Sequence, residues 1–281
     1  MGISLGLGIG VAKAVGGAGG GSPFLPSDLG ADLQLWLDAQ DLTTLYTDDS
    51  ETVPSANGAD VGRWKDKSGN NRHADKANIG VNKPRRTDGS ISTHTGVDFS
   101  WGTPIAGLLA PWVGTNPGAT KIAGGQRFEV WAVYTSSSAA AYVVDNDENG
   151  AYGDYWTIWT TPAAGVFVGG HHLYLKTPSG ASDCGFATAL GPAVVVRGIV
   201  DTTLAAGCTT INVGGVNGAM TAGYDPGLNG DSTLTSALCI GANRSGLYQN
   251  LGSMGEVIYV SRHLTPSEAT GMSAYLTTRW A

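Results

Sequence analysis

Short apolar stretches that alternate with polar residues constrain this chain more than any other feature. In LQLWLDA (residues 33–39), Leu33, Leu35 and Leu37 fall on one face, whereas Gln34 and Trp36 fall on the other. A period of two is typical of a β-strand. Similar stretches, separated by Gly, Pro, Asn and Asp, occupy residues 128–135, 140–146, 154–161, 164–170, 171–177, 192–201, 209–215, 238–242 and 255–262. Many short strands with turn residues between them predict an all-β sandwich or barrel.

The composition agrees with a β protein and limits its partners. The chain has 43 glycines in 281 residues, and 14% of its residues are charged, against roughly 25% in an average soluble protein. The net charge is −7, whereas binding to nucleic acid or an anionic membrane requires clustered Lys and Arg. We therefore expect no nucleic-acid partner and no membrane insertion. Cys184, Cys208 and Cys239 form no close pair, which favours buried free thiols over a disulfide framework or a zinc site.

The last residues predict one helix. Thr265 is a suitable N-cap, Pro266 suits the first helical position, and Glu268 completes a capping box. Gly271 weakens this helix without forbidding it. An apolar stripe at spacings of three and four residues consists of Leu264, Ala269, Met272, Tyr275, Leu276 and Trp280. This stripe should lie against a sheet.

Two groups of motifs frame most of the chain. Near the beginning stand LWLD at 35–38, TLY at 44–46, VGRW at 61–64 and DKSGN at 66–70, the last followed by His73 and Ala74. Near the end stand GEVIY at 255–259, Leu264, Thr265 and Glu268 of a short turn, and Tyr275, Leu276 and Trp280. This combination resembles concanavalin A-like, laminin-G-like jelly-roll domains of the kind found in bacteriophage virion proteins. Between the two ends only the strand pattern matches.

The resemblance implies a two-sheet antiparallel jelly-roll sandwich with a short C-terminal helix, and the residues that precede the resemblance predict an extended N-terminal arm. We place the arm and tether at residues 1–29 and the jelly roll at residues 30–281. The motif residues themselves have a structural interpretation. Asp66, Ser68, Gly69 and Asn70 are typical of a turn closed by side-chain hydrogen bonds, and Trp36 and Trp64 are large enough to join the two sheets.

The sequence predicts no enzyme. Relatives that cleave β-glucans carry an E-x-D-x-E-like strand, because retaining hydrolysis needs two carboxyl groups about 5 Å apart. No glutamate of this chain stands two or four residues from another; they are Glu51, Glu129, Glu148, Glu256 and Glu268. The G-x-S-x-G, H-E-x-x-H and phosphate-loop patterns are also absent.

One acidic loop, DNDENG at 145–150, has two interpretations. Asp145, Asp147 and Asn149 match the first ligand positions of a calcium loop, but Trp156 stands where the bidentate glutamate belongs. The alternative is a hairpin turn rich in Asp and Asn. No cofactor is certain, and Ca²⁺ is the candidate.

Aromatic and histidine side chains cluster near that loop. Stacking on sugar rings and hydrogen bonding to hydroxyls are the chemistry of a shallow glycan groove, so we expect host-surface carbohydrate as a partner. The predicted glycan-binding residues are Tyr152, Tyr155, Trp156, Trp159, His171 and His172, with Tyr142 and Tyr174 nearby. Because side chains alternate along a strand, about half of these must instead fill the core.

The N-terminus predicts a docking strand. Its apolar residues alternate with glycine and serine: Ile3, Leu5, Leu7, Ile9 and Val11. Such a strand can join another protein through main-chain hydrogen bonds, and the run Gly16–Gly21 then provides a flexible tether. A secretory signal is the alternative, although no basic region precedes the apolar stretch and Lys13 interrupts it.

Two functions remain open. The first is a structural subunit of a bacteriophage virion, in the tail, fibre or capsid decoration, made in the host bacterial cytoplasm and docked through its arm to other virion proteins. Such a subunit would form a homo-oligomer, with a trimer as the expected order. The alternative is a carbohydrate-binding module or glycan-active enzyme of a secreted bacterial protein.

Overall fold

The protein is described from a computed structural model. It covers residues 23–76, 83–100, 108–110, 127–137, 141–145, 155–161, 169–177, 180–201, 204, 208–220, 238–242, 250 and 252–281. Outside these residues lie the docking-arm positions Ile3, Leu5, Leu7, Ile9 and Val11, the site candidates Asp147, Asn149 and Tyr152, and most of the predicted strand at 164–170.

The described residues form β-strands, two short 3₁₀ turns (Pro26–Asp32 and Leu42–Thr44) and a C-terminal α-helix. The first strands are β1 Leu33–Asp38, β2 Leu45–Tyr46, β3 Arg63–Trp64, β4 Ala74–Lys76, β5 Arg85–Ile91, β6 His94–Asp98, β7 Leu108–Ala110, β8 Arg127–Tyr134 and β9 Ala141–Asp145. The remaining elements are β10 Tyr155–Thr161, β11 Gly170–Thr177, β12 Gly180–Ala187, β13 Val194–Asp201, β14 Thr209–Val213, β15 Val216–Asn217, β16 Ala219–Met220, β17 Leu238–Ile240, β18 Ser253–Val260 and α1 Pro266–Trp280.

Within the described part of the chain these strands form two antiparallel sheets. An eight-stranded sheet has the order β15-β14-β13-β8-β18-β6-β5, and β1 also pairs with β18. A ten-stranded sheet has the order β16-β12-β11-β10-β9-β17-β7-β4-β3-β2. The predicted all-β, two-sheet jelly-roll sandwich with a short C-terminal helix is therefore confirmed.

Large side chains from both sheets meet in the core. The buried Trp156 ring of β10 lies 5.4 Å from the Phe128 ring and 6.1 Å from the Tyr259 ring of the opposite sheet. The Tyr134 hydroxyl lies 2.6 Å from Nδ1 of His171, another contact between the sheets. Burial raises the pKa of Tyr134 and lowers that of His171 to about 4. His171 is therefore a neutral core residue at physiological pH.

Helix α1 covers the outer face of the eight-stranded sheet. Its buried residues are Met272, Leu276 and Trp280, which belong to the predicted stripe. The capping box is also confirmed, because Thr265 Oγ1 accepts from the Glu268 N–H and the Glu268 carboxylate accepts from the Thr265 N–H. At Gly255 of β18 a Cβ would lie 2.5 Å from the Trp280 ring, so glycine allows the indole to rest on the strand.

A buried carboxylate joins this helix to the sheet. Glu256 accepts hydrogen bonds from Nε1 of Trp36 and of Trp280, both at 2.7 Å, and from the Tyr275 hydroxyl at 2.9 Å. The expectation that Trp36 joins the two sheets was wrong. Its indole N–H donates to Glu256 on the face of the sheet that α1 covers, whereas the Trp64 side chain is fully buried.

The turn at residues 66–70 is confirmed. The Asp66 carboxylate accepts from the backbone N–H groups of Trp36, Ser68 and Arg72 at 2.8–3.0 Å. Asn70 Nδ2 donates to the Leu33 carbonyl at 2.9 Å. The motif therefore fastens a loop to β1, which explains it without a ligand.

The chain packs onto the sandwich before residue 30. Leu29 is buried, and Phe24 lies against Gly271 of α1. These residues belong to the segment that the sequence analysis assigned to the tether. The three cysteines, Cys184, Cys208 and Cys239, are buried free thiols, as predicted.

Among the described residues, no helix is long and apolar enough to cross a bilayer.

Candidate functional site

The outer face of the ten-stranded sheet carries the candidate site. Because Trp156, Ile158, Leu173 and His171 point toward the other sheet, alternation turns their neighbours outward. Register pairs Thr157 with Tyr174 and Tyr174 with Asp183, and it pairs Trp159 with both His172 and Tyr142. We define the β9–β12 face by its outward residues Tyr142, Asp145, Thr157, Trp159, His172, Tyr174 and Asp183.

The predicted glycan-binding residues divide between this face and the core. Trp159 and His172 lie on the β9–β12 face. Trp156 and His171 lie in the core, where no sugar reaches them, so we remove both from the candidate site. Tyr155 begins β10, but its side chain is outside the described part of the structure, as is all of Tyr152.

Three rings lie in a row across β9, β10 and β11. The Trp159 ring is 6.3 Å from the Tyr142 ring and 5.6 Å from the His172 ring. Tyr142 and Trp159 are partly exposed, whereas His172 is buried. The row therefore combines apolar ring surface at the solvent boundary with a polar ring beneath it.

An aspartate holds the buried histidine. Nδ1 of His172 lies 3.0 and 3.2 Å from the two carboxylate oxygens of Asp183, and both side chains are fully buried. Because a carboxylate oxygen accepts hydrogen bonds, Nδ1 of His172 is the donor in this pair. The pair fixes the ring orientation. The sequence analysis did not select Asp183.

Asp145 lies at the end of β9, opposite Thr157 of β10 and Cys239 of β17. Its side chain is fully buried and makes further contacts within the protein. The other two residues of the predicted calcium loop, Asp147 and Asn149, lie outside the described residues, so this site stays a prediction. Within the described ranges, no group of three or more His, Cys, Asp or Glu is placed to hold a metal ion.

The spacing of the two carboxylates on this face does not suit glycoside hydrolysis. Asp145, Thr157, Tyr174 and Asp183 stand in register across four neighbouring strands. Three strand spacings place the aspartates about 14 Å apart. Retaining hydrolysis needs about 5 Å and inverting hydrolysis at most about 9.5 Å. Asp145 and Asp183 therefore do not form a catalytic pair of either kind.

The chain matches no known family model and no curated protein. It does resemble solved structures. One is domain 4 of AbnA, an extracellular arabinanase of family GH43 from Geobacillus stearothermophilus, solved with arabinotriose. The identity is 14% and the TM-score 0.52, with 86% of this chain and 98% of that domain covered.

Two other similar structures are neurotoxin domains. The botulinum neurotoxin serotype D binding domain has 9% identity and a TM-score of 0.55 over 88% of this chain. The serotype G binding domain has 10% identity and a TM-score of 0.53, also over 88% of this chain. The chain spans about half of each neurotoxin domain, 52% and 51%. At these identities the similarity establishes the β-sandwich fold.

Proposed function

We propose that this protein is a non-catalytic glycan-binding domain whose ligand lies on the β9–β12 face. The observation that carries the proposal is the row formed by Tyr142, Trp159 and His172. The partly exposed rings of Tyr142 and Trp159 provide stacking surface for a sugar. His172, held by Asp183, lies fully buried beside the Trp159 ring and fixes the packing on which this surface rests.

The structural comparison supports this class of ligand. Domain 4 of AbnA was solved in complex with arabinotriose, and its length is covered almost completely by this chain. A shared sandwich does not by itself transfer a function. The proposal therefore rests on the residues of the face, and the comparison identifies neutral oligosaccharides as suitable probes.

We further propose that a bacteriophage particle displays this domain. What supports it is the combination of jelly-roll motifs at residues 35–74 and 255–280 with the alternating apolar residues of the arm. The arm would dock on other virion proteins, and several copies would provide avidity for a host glycan. The secreted carbohydrate-binding module remains the second candidate, and the same binding face would serve it.

The binding face is tested by Trp159→Ala. We expect the variant to lose at least ten-fold in affinity for glycans bound by the wild type, because the removed ring is the middle of the row. Isothermal titration calorimetry after a glycan array measures this loss. The matched control is Tyr46→Ala, which removes a partly exposed ring from β2 at the far end of the same sheet.

Two outcomes would contradict the proposal. One is that no glycan of the array binds the wild-type protein. The other is that Trp159→Ala and Tyr46→Ala bind with equal affinity, because the row would then play no part in recognition.

A further inference from the structure

A groove runs beside α1 on the outer face of the eight-stranded sheet. The β9–β12 face lies on the other sheet, which has ten strands. Its volume is about 490 Å³. Thr270, Ser273 and Thr277 form the helix wall, and Trp131, Arg197 and Asn212 contribute from β8, β13 and β14. A second cavity of about 160 Å³ shares Thr277 and continues toward the end of the helix.

The floor of the groove is a fixed and neutralised arginine. The Arg197 guanidinium lies 5.1 Å from the Trp131 ring centre. Its Nε and Nη2 donate to the Glu129 carboxylate at 2.9 and 2.6 Å. Glu129 is fully buried and also accepts from the Leu264 N–H. Arg197 therefore presents a rigid planar group whose Nη1 is not engaged by Glu129.

The helix wall carries hydroxyl groups on one side. Thr270, Ser273 and Thr277 are spaced by three and four residues, so they share one face of α1. The Thr270 hydroxyl donates to the Pro266 carbonyl at 2.8 Å, which leaves its oxygen as an acceptor. Hydroxyls of Ser273 and Thr277 rotate and can donate or accept. From residue 269 to residue 278 the wall is about 14 Å long.

The lining argues against other ligand classes. Arg197 is its only charged residue within the described structure, and Glu129 neutralises it, so the groove does not favour an anion. A peptide strand cannot add to the sheet there, because β13 pairs with β8 and β14, and β14 pairs with β13 and β15. A purely apolar ligand would leave the hydroxyl wall and the Arg197 N–H groups unsatisfied.

We propose that this groove is a second carbohydrate-binding site, which takes a short neutral oligosaccharide along α1. The sugar hydroxyls pair with the helix hydroxyls and with Arg197 Nη1, and a sugar face lies over the guanidinium plane. The site lies on the opposite sheet from the proposed primary face. It therefore goes beyond the proposed function and can exist without it.

The test is an NMR titration of the full chain with neutral oligosaccharides, arabinotriose among them. The resonance followed in this titration is the side-chain Nε–H of Arg197. We expect this resonance to shift in the wild type and equally in Trp159→Ala, because the two sites are separate. Ser273→Trp, which fills the groove from a partly exposed position, should weaken this response at least ten-fold. Ser267→Trp, on the exposed first turn outside the groove, is the matched control and should respond as the wild type does.

The outcomes separate the two proposals. If the Arg197 resonance of Trp159→Ala does not shift with any probe, the groove proposal is wrong, even if the wild type binds. A Ser273→Trp protein that loses all binding while Trp159→Ala keeps it overturns the primary face and supports the groove. If the Arg197 resonance of the wild type does not shift with any probe, the groove proposal is wrong. This outcome does not depend on whether Ser273→Trp folds.

Discussion

At the scale of single residues, Glu256 is the buried charge on which the attachment of α1 depends. Its side chain receives two indole N–H groups and one hydroxyl. Asp38, which binds Lys67 and Arg279, is its neighbour across the β1–β18 pair. Burial, followed by the charge of Asp38, raises the pKa of Glu256 from 4.5 to about 7.

This shift predicts a pH-dependent effect of Glu256→Gln on the free energy of unfolding. The folded state holds the proton more tightly than the unfolded chain, so this stabilisation is complete below pH 4.5 and is lost as the pH rises through about 7. Glutamine does not titrate, so the variant gains no stability from binding a proton. Its side-chain amide also places an N–H group opposite the indole N–H of Trp280. We expect a loss of about 1–3 kcal/mol at pH 8 and a loss up to about 3 kcal/mol larger at pH 5. Urea unfolding at several pH values measures both.

The control for this series is Glu268→Gln. The Arg262 guanidinium lowers the pKa of Glu268 to about 2, so the group stays ionised from pH 5 to pH 8. Its effect on stability should therefore be constant over that range. If the Glu256→Gln effect is equally constant, the raised pKa of Glu256 is disproved.

Alternation in the sequence explains part of the candidate site. A period of two correctly separates Trp159 and His172 from their neighbours Trp156 and His171, which lie on the other face. Which face is buried depends on the opposite sheet, through contacts of Trp156 with Phe128 and Tyr259. Those contacts join residues far apart in sequence, so the pattern within one strand does not contain them.

At the scale of elements, the strand β12 and the helix α1 show opposite degrees of predictability. The capping box of α1 is local chemistry and could be identified from Thr265 and Glu268. Strand β12, GASDCGFA, was missed because Gly, Ala, Ser and Asp are uncommon in strands. Its pairing with β11 along eight residues overrides that preference, and Asp183 was missed with it.

Gly271 shows how tertiary packing outweighs helix propensity. Alanine in place of glycine inside a helix normally adds about 1 kcal/mol of stability. Here the new Cβ would lie 2.8 Å from Cβ and Cγ of Phe24. We expect Gly271→Ala to lower the melting temperature in the wild type and to raise it in a Phe24→Gly background, which removes both of these atoms. A double-mutant cycle by thermal unfolding measures this coupling, and additive effects would show that Phe24 and residue 271 do not interact.

At the scale of the whole molecule, the two sheets present separate surfaces. The ten-stranded sheet carries the β9–β12 face, and the eight-stranded sheet carries α1 with its groove. The motifs at the two ends of the chain meet at α1, where Trp36, Glu256 and Trp280 form one cluster. The resemblance therefore predicted the frame of the sandwich. The ligand surfaces lie largely on the middle strands, where only a general strand pattern could be recognised.

The boundary between arm and domain is tested by two truncations. We expect removal of residues 1–22 to change the free energy of unfolding by less than about 0.5 kcal/mol, because this truncation keeps Phe24 and Leu29 with the contacts that the structure describes for them. Removing residues 1–29 also deletes Phe24 and the buried Leu29, and we expect a loss of at least about 3 kcal/mol. Urea unfolding compares the two proteins, and equal stability of both truncations would place the boundary at residue 30.

The same shorter truncation tests the arm as an anchor. If the virion proposal holds, it fails to incorporate into phage particles despite its intact fold. Normal incorporation would show that the arm is not the anchor.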